Sequence, residues 1–254
     1  MNMELKEALQ KFLLRLGDNA LIQGQRLCEW CSRAPMLEED IALSNLALDH
    51  IGRAQVLLDY AGQTYGAAKS ADELAFRRSE RQYYNFLMAE MPIGNFAYTI
   101  AKQLYLSAYE ELLYEVLSQS TDTNLSAISL KAIKEARYHF SHAADWCVRL
   151  GLGTPESHDK LADAINELWA YTDEFFEMSD CDLLLLQHGI APDQEVIKKH
   201  WLDKIGKVFM RAGFTMPSEV YQHHGSRQGI HTEHLGHLLC EMQFLQRAHP
   251  EASW

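Results

Sequence analysis

The groups in this sequence that could do chemistry stand on runs that read as helix. In Lys134-Glu135-Ala136-Arg137-Tyr138-His139, the residues Glu135, His139 and His142 fall at i, i+4 and i+7, on one face. Such a face could hold a metal or relay a proton. A partly buried ion pair or hydrogen bond tying helices together explains the same residues, and is favoured because ligands from one helix rarely bind a metal without others. Further upstream, Glu38, Asn45 and Asp49 fall within about 40° of arc at ~100° per residue. Asn45 sits beside Ile41 and Leu48, which predicts that this polar stripe turns inward. It would serve either as carboxylates facing a metal or as a hydrogen-bonded layer with Asp49 and Arg53 paired at i, i+4, the favoured reading.

Three more clusters carry weaker signals. His231-Thr-Glu-His234-Leu-Gly-His237, with Glu241 beyond it, could bind zinc or nickel. It also reads as a helix entry with Thr232 or His231 capping and Glu233 in the first turn. Cys28-Glu-Trp-Cys31 lacks the preceding strand of a redox motif and the second pair of a zinc site, so it reads as two core cysteines on one helix face. Arg77, Arg78 and Arg81, followed by Gln82, Tyr83, Tyr84 and Asn85, form a local basic patch. An anionic ligand, a partner protein or a solvated helix face offset by Glu80 all fit it.

The sharpest observation is an absence. A carboxylate-bridged di-metal centre in a helical bundle takes a Glu from each of two helices and Glu-x-x-His from each of two others. No Asp or Glu in this chain is followed three residues later by His. Three before His139 stands Ala136. No metal and no catalytic residue are therefore expected on this chain.

The elements that must position these groups are helices. Apolar residues recur at helical steps over Met36–Tyr65, about 45 Å of helix at ~1.5 Å per residue. Phe96–Ser118, Leu125–Leu150 and Asp159–Met178 complete a predicted set of four long helices, flanked by Leu5–Cys31, Asp72–Met88, Gln194–Arg211 and Glu233–Arg247. A break is expected at Ser179–Asp180. No stretch alternates at period two, so the fold class is all-α, a four-helix bundle with flanking helices in one domain spanning 1–254. Leu43, Leu46 and Leu57 lie opposite Ile41 and Leu48, so that helix is apolar nearly all round and reads as buried in the protein or in a partner.

Composition narrows the function. Lys and Arg number 23 against 35 Asp and Glu, a net charge of −12 that argues against nucleic-acid binding. The longest leucine run, Leu183–Leu186, is far short of the ~18 apolar residues of a membrane helix. The N-terminus lacks a signal-peptide core. Five cysteines without framework spacing point to a reducing cytoplasm.

Several stretches together resemble the PaaC family, the C component of the phenylacetate-CoA oxygenase or ring 1,2-phenylacetyl-CoA epoxidase. They are Leu16-Gly-Asp-Asn19, Cys28–Cys31, Asp40–Asp49, Gly94-Asn-Phe-Ala97, Lys131–His139 and His231–Gly236, and the likeness runs from about residue 12 to the end. The resemblance implies a ferritin-like fold and a bacterial cytoplasmic multicomponent monooxygenase of phenylacetate catabolism. It further implies a paralogous A subunit that carries the di-iron site on a true Glu-x-x-His. Here Glu38, Asn45, Asp49, Glu135, Ala136 and His139 would be degenerate remnants, and the chain a structural subunit without a cofactor of its own. Its implied partners are the catalytic A subunit, in an A–C heterodimer, and the other subunits of the complex; separately from the resemblance, helices apolar nearly all round predict that the chain alone self-pairs as a homodimer. If the assembly handles a CoA ester, Gln82, Tyr83, Tyr84, Asn85, Arg78 and Arg81 are the expected rim, with Leu183, Leu184 and Leu185 against the pantetheine arm. The alternatives are an independent di-iron oxygenase and a CoA-ester-binding helical module.

Overall fold

A computed structural model describes residues 3–65 and 68–252, which are helical with no strand among them. In chain order the helices are α1 (Met3–Cys28), α2 (Leu37–Gln63), α3 (Ala71–Phe76), α4 (Leu87–Glu90), α5 (Phe96–Leu117) and α6 (Thr123–Gly151). They continue as α7 (Pro155–Trp169), α8 (Asp180–Gln187), α9 (Gln194–Ala212), α10 (Glu233–Met242) and α11 (Phe244–Ala248). The chain divides into two compact units, residues 1–92 with 225–254, and residues 93–224.

The first unit is built on α1 and α2. Gln10 Nε2 donates to Thr64 Oγ1 at 3.0 Å, Gly17 meets Leu58, and Gly24 meets Ala47. The partner number falls as the α1 number rises, so the two helices run antiparallel. A Cβ on Gly17 would stand 2.7 Å from Leu58 Cδ2, and one on Gly24 would stand 3.2 Å from the Ala47 carbonyl oxygen. The missing side chains let the two backbones close up.

The second unit pairs α5 with α6, the Phe96 and Trp146 rings meeting edge to face at 5.0 Å. α7 and α9 cover α5. Tyr105 Oη donates to the Ile165 carbonyl at 3.1 Å, and Trp201 Nε1 donates to the Tyr105 carbonyl at 3.0 Å. Tyr105 and Phe176 lie 5.6 and 5.5 Å from the Trp201 ring, at aromatic stacking range. Side-chain oxygens of Asn95, Asp122, Thr154 and Asp193 cap the starts of α5, α6, α7 and α9.

Two expected helices, Asp159–Met178 and Asp72–Met88, end or break early for local reasons. Asp159–Met178 ends at Trp169, because residues 222–223 satisfy its terminal carbonyls. Gln222 Nε2 donates to Trp169 O at 3.0 Å and His223 N donates to Ala170 O at 2.8 Å. α1 instead joins α2, α5 and α6 as the fourth long helix. Asp72–Met88 breaks into α3, a 3-10 turn at Glu80–Gln82 and α4. There the Tyr84 and Phe86 amides donate to Asp18 Oδ2 and Asn19 Oδ1, at 3.0 and 2.9 Å, instead of to helical carbonyls. The expected break after Ser179 is itself a helix start. Ser179 and Asp182 form a capping box that opens α8.

Candidate functional site

In the second unit the inward faces of α5 and α6 carry Glu110 and His139, both buried. A carboxylate oxygen of Glu110 and a ring nitrogen of His139 lie within 4.8 Å of each other. Ala136, one turn before His139, is fully buried, so a methyl group occupies the place where a motif carboxylate would project. Glu135 is not the acid that meets His139. It turns to Lys131, at 3.5 Å. Glu110 escapes sequence reasoning because α5 carries no histidine at helical spacing to single it out from Glu111 and Glu115.

The first unit repeats the pattern. On α2, Ala47-x-x-His50 presents a buried alanine and a buried histidine, as Ala136-x-x-His139 does on α6. Arg53, also buried, places Nη2 2.7 Å from His50 Nδ1. A guanidinium only donates, so Nδ1 accepts and the His50 proton sits on Nε2. Each retained histidine thus follows an alanine where a di-metal motif needs a carboxylate, and one of them also meets a guanidinium. The residues present do not fit a di-iron centre of the Glu-x-x-His type.

The stripe of Glu38, Asn45 and Asp49 does not turn inward. Glu38 and Asn45 are exposed and Asp49 is half-exposed, while Ile41 is 54% and Leu48 65% accessible. The interior takes the opposite face, with Leu43, Leu46, Ala47, His50, Arg53 and Leu57. The expected orientation is inverted because α2 is apolar on both faces, and periodicity alone does not say which one the unit covers.

The expected CoA-ester rim divides. Arg78 is buried and makes a two-pronged ion pair with the fully buried Asp18. Its other hydrogen bonds go to the Leu74 and Gln82 carbonyls. Burial pushes the Asp18 carboxyl above its usual range, against the pull of Arg78. Arg78 is therefore internal wiring, which corrects the expectation that it reaches a phosphate. Tyr83 lies buried beneath the Arg78 guanidinium, 4.2 Å from its ring centroid, and donates to the Ala75 carbonyl. Asn85 is buried too, with Nδ2 donating to Glu90 Oε2 at 2.9 Å. Arg81 and Gln82 are exposed and Tyr84 half-buried. In the second unit Leu185 is buried, Leu184 half-buried and Leu183 exposed. An open cleft of about 870 Å³ in the first unit is lined by Ser79, Glu80, Glu233, His237, Cys240 and Arg247, among others, rather than by residues 82–85.

The histidine-rich stretch belongs to the same wiring. His231 Nδ1 lies 2.8 Å from Glu90 Oε2 and Nε2 lies 2.9 Å from the Tyr83 carbonyl, so both ring nitrogens are engaged. Thr232 N donates to Glu90 Oε1 at 2.6 Å, and Arg26 donates to the Glu90 and His234 carbonyls. His234 is half-buried and His237 exposed, and among the described residues these three histidines do not gather as metal ligands. Cys28 and Cys31 are exposed free thiols at the end of α1, not core residues.

An all-α protein built on paired long helices belongs to the ferritin-like class, and here a buried alanine stands three residues before each of two buried histidines. The family described as "Phenylacetic acid catabolic protein" matches residues 1–254, and the chain belongs to it. The chain is similar to the C subunit of 1,2-phenylacetyl-CoA epoxidase from Escherichia coli (strain K12). The two are 45% identical over 246 residues, 97% of this chain and 99% of the relative. No described helix is long and apolar enough to cross a membrane.

Proposed function

We propose that the chain is the non-catalytic C subunit of a multicomponent phenylacetyl-CoA epoxidase in aerobic phenylacetate catabolism. It binds no metal itself and holds the shape of a paralogous A subunit, which carries the di-iron site. It works in the cytoplasm as one ferritin-like domain spanning 1–254, within a complex that includes further subunits, without nucleic-acid or membrane partners. Alone, it pairs as a homodimer.

One observation carries this reading: alanine stands three residues before each retained histidine, at Ala47 and Ala136. Arg53 beside His50 supports it, since a fixed cation opposes metal entry. Co-expression with a paralogous A subunit tests it. The two chains should co-purify, with iron and epoxidation confined to preparations that contain the A subunit. Stoichiometric iron or epoxidation by this chain alone would favour the independent-oxygenase reading, for which Glu110 and His139 are the available donors. Binding of a CoA ester with no oxygenase partner would favour the helical-module reading.

A contribution to the CoA-ester rim is the finer part of the proposal. It rests on Arg81, Gln82 and Tyr84, with the exposed Leu183 as the apolar candidate. Arginine contact to phosphate is charge-assisted and weakens as salt rises.

A further inference from the structure

We propose that Cys28 and Cys31 form a redox-active dithiol, which hydrogen peroxide closes to a disulfide across one turn at the end of α1 and thiol reductants reopen. The pair needs no partner subunit, so it stands apart from the reading of the chain as part of an epoxidase.

The backbone brings the two thiols together. From residue 26 onward the chain winds more tightly than an α-helix. Glu29 N donates to Arg26 O at 3.2 Å, Trp30 N to Leu27 O at 3.1 Å, Cys31 N to Cys28 O at 3.1 Å and Arg33 N to Trp30 O at 2.8 Å. Successive i→i+3 bonds give ~3.0 residues per turn and ~2.0 Å of rise per residue, so side chains at i and i+3 eclipse. The Cys28 and Cys31 Cα atoms thus stand about 6 Å apart with their side chains in line, and a disulfide asks for roughly 4.4–6.8 Å. An unbroken α-helix would instead offset the two by about 60° around its axis. Ser32, at φ 65°, ends the winding just after the second thiol.

The same turn holds the thiols outward. Trp30, between them, is buried, and Glu29 pairs with Arg26 at 2.7 Å. Arg26 is fixed in its turn by the Glu90 and His234 carbonyls. With Trp30 turned inward and Glu29 tied down, Cys28 and Cys31 are left exposed. The other cysteines lack this arrangement. Cys147 is buried, its thiol pushed up to about 12, Cys181 is half-buried, and Cys240 is exposed with no cysteine one turn away.

The two thiols take different parts. Burial, with Cys31 and Glu29 close by, raises the Cys28 thiol above its usual value, so Cys31 attacks first and Cys28 resolves. The Cys31 thiolate breaks the O–O bond of peroxide, giving a sulfenic acid and a hydroxide that takes up the proton the thiol released. The Cys28 sulfur then bonds to the Cys31 sulfur, and the departing hydroxide carries off the Cys28 proton as water. Two thiols and one peroxide become one disulfide and two waters. Disulfides in reducing compartments are typically transient ones of this kind.

Thiol mapping of the full-length chain tests the pair. The wild type is treated with an equivalent of hydrogen peroxide, alkylated, and cut with trypsin after Arg26 and Arg33, so that both thiols leave in one peptide, 27–33. That peptide should lose two hydrogens, take no alkyl label, and accept two labels after dithiothreitol, while Cys240 stays open to alkylation throughout. In Cys28→Ser, whose fold is checked by circular dichroism, Cys31 should stop at the sulfenic acid and give roughly tenfold more dimedone adduct than the wild type, because nothing resolves it. Oxygen added to peptide 27–33 without loss of hydrogens, cross-links between chains through these thiols, or equal dimedone labelling of variant and wild type would overturn the proposal.

Discussion

Two buried acid–histidine pairs in this molecule are held in contrasting ways. Glu90 and His231 in the first unit are ringed by groups from loops and helix ends, namely the Thr232 amide, the Tyr83 carbonyl and the Asn85 side chain. Glu110 and His139 in the second unit project from the middle of two regular helices, α5 and α6. The first pair, with Asp18 and Arg78, is a clasp that ties α1 to residues 78–90 and to the C-terminal segment. The second lies between helix interiors, with the buried Ala136 one turn before His139. Residue type does not separate the two cases. What separates them is the origin of the neighbours: irregular backbone needs its amides and carbonyls satisfied, whereas a helix interior has already satisfied them.

The contrast predicts the largest effect at the clasp. Asp18→Ala leaves the Arg78 guanidinium buried without its partner, which should cost roughly 3–5 kcal/mol. In a chain of this size that lowers the melting temperature by roughly 10 °C, readable by circular dichroism. An unchanged melt would mean that the clasp is dispensable. His139→Ala removes a buried ring and leaves Glu110 facing a void, for an expected loss of about 2–3 kcal/mol by denaturant titration. A loss as large as that at Asp18 would erase the distinction between the regions.

Metal analysis sharpens the comparison from the other side. The purified chain should hold no stoichiometric iron, and Ala136→Glu should not create a site, because Ala47 still lacks its carboxylate and Arg53 still faces His50. Iron bound by the wild-type chain would show that Glu110 and His139 suffice with other help. The smallest effect is expected at Arg81. Arg81→Glu should change stability by less than about 0.5 kcal/mol, as exposed substitutions do, while raising the dissociation constant for a CoA ester in the reconstituted complex. Calorimetry that shows no change would leave Arg81 as a solvated side chain.

The sequence by itself determined the helical class, because a period near 3.6 and few glycines and prolines leave little else to form. It also determined that no Glu-x-x-His stands in the chain, since a missing carboxylate is visible without coordinates. The family likeness was legible in stretches such as Leu16–Asn19 and His231–Gly236, and the structure gives these residues work: Asp18 and Asn19 accept from the Tyr84 and Phe86 amides, and His231 reaches Glu90. Which face of α2 turns inward was decided only by tertiary structure, because two apolar faces on one helix are equivalent until α1 covers one of them. Tertiary structure also turned Arg78 from an expected phosphate contact into the partner of Asp18, 60 residues away. It likewise chose Glu110 over Glu135 as the acid near His139. Helical spacing relates residues within a few turns, while burial and ion pairing are settled by whichever distant segment arrives against them.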